Sequence, residues 1–256
     1  MTRPRTTVSL ITVVRNGEAT IGQCMDSIRQ QTVLPFEYIV VDGNSTDGTL
    51  SVINKHWWDG VKVISEPDDG IYDAMNKGIR NATGDVVGIL NSDDFYIDSD
   101  VIAKVASAFD ELETDSLFAD LVYVRPDNLN HVVRYYSGAG FAPHKFARGQ
   151  MPPHPTFFVR RECYLKYGLF KTDYTIAADF ELLVRFFCMH RISYHHLPEV
   201  IVKMRTGGVS TRNFKSNIIL NREVLRACAE NGIPTNVLNV YSKYFYKCRE
   251  LFVRPA

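Results

Sequence analysis

Three short polar clusters in the first hundred residues carry side chains of the kinds that can bind nucleotides and cations: Arg15-Asn16, Asp42-Gly43-Asn44-Ser45 and Ser92-Asp93-Asp94. Asp93 and Asp94 follow an apolar stretch. Adjacent carboxylates repel unless a cation compensates them, and oxygen ligands suit Mg2+ or Mn2+. Such an ion bridges diphosphate oxygens and stabilises a departing nucleoside diphosphate; a solvated pair capping the next helix is the alternative. Asp42 can hydrogen-bond a nucleobase edge or a ribose hydroxyl, with glycine letting the backbone approach a ligand. The same residues also make a βα turn with an Asx-type cap. Asp179, in Ile-Ala-Ala-Asp-Phe-Glu, opens a helical stretch. A carboxylate there is either a general base toward an acceptor hydroxyl or a cap favoured by the helix dipole. His154, between prolines in Met-Pro-Pro-His-Pro-Thr, is a contact for phosphate or acceptor, or a structural side chain.

The elements that must position these residues alternate. Residues 8–14 form a β-branched run suited to a strand buried on both faces. Ile21, Cys24, Met25 and Ile28 then recur on one helix face. Further strands are expected at 36–41, 61–64 and 85–90, with helices around Leu50 and Ile53 and from Ala74 to Ala82. Strands alternating with helices at this spacing imply βαβ units and a mainly parallel α/β sheet, whose ligands sit at the carboxyl ends of the strands. All three polar clusters fall at such ends. Beyond residue 100 a helix (Val101 to Leu112), two strands (117–124 and 132–136), an irregular loop (138–155) and helical stretches at 182–187 and 218–229 are expected.

With 256 residues the chain accommodates one large α/β domain. Its 29 basic and 29 acidic residues lack the basic excess expected of a nucleic-acid binder. Five scattered cysteines without a Cys-x-x-Cys pair argue against a disulfide framework or zinc site and fit a reducing cytoplasm. No apolar run approaches the roughly 20 residues that span a bilayer.

In chain order, Thr-Val-Val-Arg-Asn, Val-Val-Asp-Gly-Asn-Ser-Thr-Asp-Gly-Thr, Ser-Glu-Pro-Asp-Asp-Gly-Ile-Tyr-Asp-Ala-Met-Asn-Lys-Gly, Leu-Asn-Ser-Asp-Asp, Ala-Asp-Phe-Glu and Gly-Gly-Val-Ser resemble the family 2 glycosyltransferases. The likeness is greatest to bacterial members that build lipopolysaccharide, capsule or exopolysaccharide, and it covers roughly residues 7–212. It implies a GT-A fold with a donor half to about residue 100 and an acceptor half from 101 to 239. It further implies transfer of a sugar, with inversion, from a nucleotide sugar (UDP-sugar favoured) to a glycan or polyprenyl-diphosphate-linked acceptor. Thr12 and Asn16 would line the nucleotide pocket, Asp42 would hold the base with Asn44 and Ser45 beside it, and Asp69, Asp73 and Lys77 would lie near the diphosphate. Asp94 would bind Mn2+ or Mg2+, Asp93 would contact ribose, sugar or metal, and Asp179 would be the base. Ser92 replaces the first Asp of a strict Asp-x-Asp, and Ala178 stands where the family often has Glu, leaving Glu181 as the nearest alternative base.

The tail, residues 240–256, mixes aromatics with Lys243, Lys247, Arg249 and Arg254. This composition suits an interfacial helix on an anionic membrane or a helix packed on the domain, so the expected location is cytoplasmic with peripheral contact to the inner membrane face. Two other classes share the acidic pair. A nucleotidyltransferase would carry a Gly-rich basic loop after the first strand, where Arg15-Asn16-Gly17-Glu18 offers one Gly and one base. A non-catalytic nucleotide-sugar binder would tolerate Ser92 and Ala178.

Overall fold

The computed structural model describes residues 5–207 and 214–243. Strand β1 (Val8–Val14) leads through helix α1 (Ile21–Arg29) to β2 (Glu37–Asp42), then through α2 (Thr49–Lys55) to β3 (Val61–Ser65) and through α3 (Ile71–Asn81) to β4 (Val86–Ile89). These four strands are mutually parallel in the order β3-β2-β1-β4. Every residue of β1 is buried, because successive side chains enter opposite cores. Leu10 and Val14 pack with α1 and with α4 (Val101–Glu111), whereas Ile11 and Val13 pack with α3 and α6 (Ala178–Val184).

The second half completes the same sheet with β5 (Phe95–Tyr96), β6 (Ser116–Arg125), β7 (Asn128–Tyr136), β8 (Phe158–Arg160) and β9 (Tyr194–Arg205). Strand β8 is antiparallel to both β4 and β6, so β6 and its parallel partner β9 run in the direction of β4. Gly88 and Leu117 both pair with Phe158, which makes them level across the sheet. Strand β4 ends at Ile89, while β6 and β9 continue past it and wall one side of the open edge. Helices α5 (Arg161–Tyr167), α7 (Phe214–Glu230) and α8 (Val237–Tyr241) follow among the described residues.

Sequence patterning did not reveal β5, β8, β9 or α5. Strands β5 and β8 have two and three residues, too few to show a period. Strand β9 is interrupted in pattern: its pairing jumps from Leu197 to Val200, so Pro198 and Glu199 bulge out of register with β6, as expected where proline withholds a donor. The stretch expected as an irregular loop contains 3-10 turns at Pro143–Arg148 and His154–Thr156.

Candidate active site

The first two polar clusters are knitted into one surface by side chain–backbone bonds. The Ser45 hydroxyl accepts from the Asn16 backbone N–H at 2.8 Å, and the Asn16 amide oxygen accepts from the Thr46 N–H at 2.8 Å. The Thr49 hydroxyl accepts from the Gly17 N–H at 2.9 Å, and the Glu18 carboxylate from the Gly48 N–H at 3.0 Å. Asn16 and Asn44 have left-handed φ angles of 53° and 56°, a conformation that asparagine tolerates and that concentrates at functional sites. Both are exposed. Gly17 brings in the third cluster: a Cβ there would stand 3.5 Å from the Ser92 hydroxyl and 2.6 Å from Val14.

Asp42 is fully buried. Its carboxylate accepts from the Ser65 hydroxyl at 2.7 Å and from the Ser45 N–H at 3.2 Å, tying the end of β2 to the end of β3. Gly43 is needed here, because a Cβ would lie 2.1 Å from the Asp68 carboxylate. Asp68 in turn accepts from the Gly70 N–H, and Asp73 from the Asp69 N–H. Lys77 reaches Glu66 at 3.1 Å, Asp73 at 3.3 Å and the Pro67 carbonyl at 2.5 Å. It therefore holds the turn between β3 and α3 rather than projecting as an open cation. Thr12 differs from the expectation. It is wholly enclosed, with its hydroxyl toward the Cys24 sulfur at 3.8 Å, on the face that packs α1 and behind the surface that Asn16 exposes.

Asp94 is also fully buried, and its Oδ2 accepts from the Asn91 amide at 3.2 Å while Oδ1 has no partner. Burial pushes its carboxyl well above the ordinary range and neighbouring Asp93 adds to the shift, against the opposing pull of the Asn91 amide and Arg205. A buried carboxylate oxygen without a donor is the feature a cation would satisfy. Among the described residues no three His, Cys, Asp or Glu side chains gather around a metal position. Asp94 with Asp93 thus fits a cation whose remaining ligands are ligand and water oxygens, not a closed protein cage. Sequence reasoning missed Arg205, which donates to the Asp93 carbonyl and the Gln23 amide oxygen and lies 5.0 Å over the Phe95 ring. Its only sequence signal was its place just before the Gly-Gly-Val-Ser block.

Asp179 lies in the first turn of α6, half-buried, with its carboxylate accepting from the Phe180 N–H at 2.7 Å. Burial raises it to about 6; the backbone N–H groups of Phe180 and Asp179 oppose this, and Glu223 adds to it. Glu223 also shapes the turn before α6: its carboxylate accepts from the N–H groups of Thr175, Ile176 and Ala177 at 2.7, 2.8 and 2.9 Å. The Tyr72 hydroxyl donates to the Ile176 carbonyl at 2.5 Å, so the Gly-Ile-Tyr-Asp motif on α3 and the Asp179 turn meet. Glu181 does not stand ready as a second base. It is fully buried and paired with Lys171 at 3.0 Å and Arg185 at 3.0 Å.

His154 corrects the expectation of a phosphate contact. It is 7% exposed, lies edge-on to Phe170, and burial lowers it to about 4. At neutral pH it is an uncharged core ring.

Comparison with known proteins places this geometry. The family model described as Glycosyl transferase family 2 matches residues 9–168. The PGL/p-HBAD biosynthesis glycosyltransferase of Mycobacterium tuberculosis (strain ATCC 25177 / H37Ra) is 30% identical over 222 residues, covering 85% of this chain and 82% of that protein. Among solved structures, the mannosyltransferase PcManGT from Pyrobaculum calidifontis, in complex with GDP-Man and Mn2+, matches with a TM-score of 0.66 at 21% identity over 99% of this chain and 71% of its own. S. aureus TarS 1-349, in complex with UDP-GlcNAc, matches with a TM-score of 0.65 at 18% identity, over 86% of this chain and 66% of its own. The chain spans 39% of the longer TarS chain. The fold is the GT-A fold.

Proposed function

The chain belongs to glycosyl transferase family 2 and is a glycosyltransferase; from that premise we propose that it moves one sugar, with inversion, from a nucleoside-diphosphate sugar to a hydroxyl of a glycan or lipid-linked acceptor in cell-surface polysaccharide assembly. The observation that carries this reading is Asp179, a carboxylate raised to about 6 at a preorganised helix start. That is the range in which a carboxylate is both ionised at neutral pH and basic enough to take a hydroxyl proton.

Asn16, Asn44, Ser45 and Asp69 form the exposed wall for the donor nucleotide, backed from beneath by Asp42 and Thr12. Asp73 and Lys77 hold the turn that presents Asp69. Asp93 and Asp94 are the residues that would hold Mn2+ or Mg2+, and the bound cation supplies positive charge to the diphosphate of the donor. Asp179 takes the acceptor hydroxyl proton as that oxygen bonds to the anomeric carbon. The bond from that carbon to the diphosphate oxygen breaks, and the nucleoside diphosphate leaves from the opposite face. The ligands of PcManGT and TarS support a nucleoside-diphosphate sugar, with UDP favoured here. Proton NMR of the transferred sugar tests the reading: the anomeric coupling of the product reports the configuration opposite to the donor's, and retention contradicts it.

Glu223 is a positioning residue in this scheme. Glu223→Gln keeps the shape but turns one carboxylate oxygen into an NH2 donor, so at least one of the three N–H groups, which use both oxygens, loses its acceptor and the rest meet a neutral one. We expect a loss of about 1–3 kcal/mol of stability, read as a lowered Tm, with kcat falling about tenfold or more as Asp179 shifts. An unchanged kcat alongside a lowered Tm would make Glu223 structural only.

No helix among the described residues is long and apolar enough to cross a membrane. The expected membrane-binding tail lies mostly in residues 244–256, outside the described residues. At its root α8 exposes Val237, Leu238 and Tyr241 by 54%, 83% and 45%, which supports peripheral membrane contact as the tail's role. Vesicle co-sedimentation that persists in a chain ending at Asn236, which removes α8 with the tail, would contradict that role.

A further inference from the structure

The peptide unit between Asp93 and Asp94 is held at both polar ends. Its N–H, that of Asp94, donates to the Asn91 carbonyl at 3.0 Å, and its C=O, that of Asp93, accepts from one terminal nitrogen of the Arg205 guanidinium. A peptide unit is planar, so bonds on its two opposite edges fix the plane from which both carboxylate side chains project. The other terminal nitrogen of Arg205 donates to the Gln23 amide oxygen on α1. The guanidinium also lies 5.0 Å over the Phe95 ring, within the range of a cation–π contact.

Arg205 reaches this peptide from a rigid base. Strand β5 pairs antiparallel with β9, Phe95 opposite Lys203 and Tyr96 opposite Val202, and that register carries Arg205 to the level of Asp93. On its other side β9 runs beside β6, with Arg205 opposite Val124. The next residue, Thr206, donates its N–H to the Val124 carbonyl at 3.0 Å. One planar side chain thus joins the Asp93-Asp94 turn, α1 and the end of β9. A lysine ammonium has neither the fork nor the flat face to make all three contacts.

The charge of Arg205 acts on Asp94, and by Coulomb's law the same charge opposes a metal ion held there. We propose that Arg205 is a positioning residue for the cation site: it sets the directions of the Asp93 and Asp94 side chains, and this outweighs the repulsion it exerts on the ion. The inference rests on the reading of Asp93 and Asp94 as cation ligands. Charge and position predict opposite results when the guanidinium is removed. Loss of a nearby positive charge alone would tighten metal binding. Loss of a partner that orients the ligands weakens it, by about 10–100-fold.

The test is titration of Mn2+ into the full chain, alone and with UDP, the free ion being read by electron paramagnetic resonance. Melting temperatures in EDTA report the fold. Arg205→Met keeps a long apolar stem against Phe95 and removes the guanidinium. Arg205→Lys keeps the charge without the fork, and it carries the test if Arg205→Met does not fold. We expect Arg205→Met to bind Mn2+ about 10–100-fold more weakly while melting in EDTA near the wild-type temperature, and Arg205→Lys to recover only part of the affinity. Mn2+ bound as tightly or more tightly in Arg205→Met, or a lowered melting temperature with Mn2+ affinity unchanged, overturns the assignment. Full recovery in Arg205→Lys overturns it too, since the fork would then contribute nothing. Asp94→Asn separates this inference from the reading beneath it. Mn2+ binding lost there but kept in Arg205→Met refutes the role of Arg205 alone, whereas Mn2+ binding kept in Asp94→Asn refutes the cation site itself.

Discussion

Asp179→Asn is expected to lower kcat by about 10²–10⁴-fold, the usual contribution of a positioned general base, while the protein stays folded. The substitution preserves shape and the bond from the Phe180 N–H and removes only the ability to take a proton. Because burial raises Asp179 to about 6, its ionisation opposes folding above the unfolded carboxyl range. The sign is therefore the reverse of a salt-bridged carboxylate: stability tied to this group is present in acid and lost as pH rises through 6. The variant should melt at the same temperature as the wild type or slightly higher at pH 7. In the wild type kcat/KM should fall tenfold per pH unit below about 6, as the base becomes protonated. The variant's residual rate should lack that limb. A folded variant that keeps its activity removes Asp179 as the base. A pure binding domain would have no turnover to lose.

Asp94→Asn is expected to separate stability from function in opposite directions. Burial pushes the Asp94 carboxyl far up and Oδ1 has no donor, so without a cation its ionised form costs stability at neutral pH. Removing the charge should raise the melting temperature in EDTA, by roughly 2–4 °C per kcal/mol recovered in a chain of this size. The gain should grow between pH 4 and pH 8, because only the wild type has to ionise or hold a proton there. The same variant should lose kcat by about 10²-fold or more, since charge stabilisation of the leaving diphosphate is worth several kcal/mol. If the variant instead melts lower in EDTA and keeps its metal response, Asp94 is a structural acid and not a cation ligand.

The first hundred residues were legible because their signals are local. Ile21, Cys24, Met25 and Ile28 mark one helix face, β-branched runs mark four parallel strands, and each run stops at a polar turn that the sheet direction carries to one edge. Asn16, Asn44, Ser45 and Asp93 are brought to that edge in this way. What escaped depends on long-range pairing or on direction. Arg205 meets Asp93 from 112 residues away, and Glu223 caps a turn 46 to 48 residues before it. Neither leaves a spacing to read. In β1 every residue is buried, so no alternation shows that Thr12 points toward α1. His154 sat in a proline-rich stretch that reads as an open loop, yet Phe170 and the core enclose it. Strand β9 hides behind Pro198 and its bulge.

The central claim, that a nucleoside diphosphate and a cation share the edge formed by Asn16, Ser45, Asp93 and Asp94, is most directly tested by melting the full chain. UDP, GDP, dTDP and CMP would each be added with Mn2+ and with EDTA, to the wild type and to Asp94→Asn. Binding to the folded state alone stabilises by mass action, about 2.7 kcal/mol at a hundredfold excess over Kd. We predict that one nucleoside diphosphate, UDP before the others, raises the wild-type melting temperature by several degrees in Mn2+, and that Asp94→Asn loses most of this shift. No shift with any nucleotide, or an equal shift in Asp94→Asn, would contradict the claim.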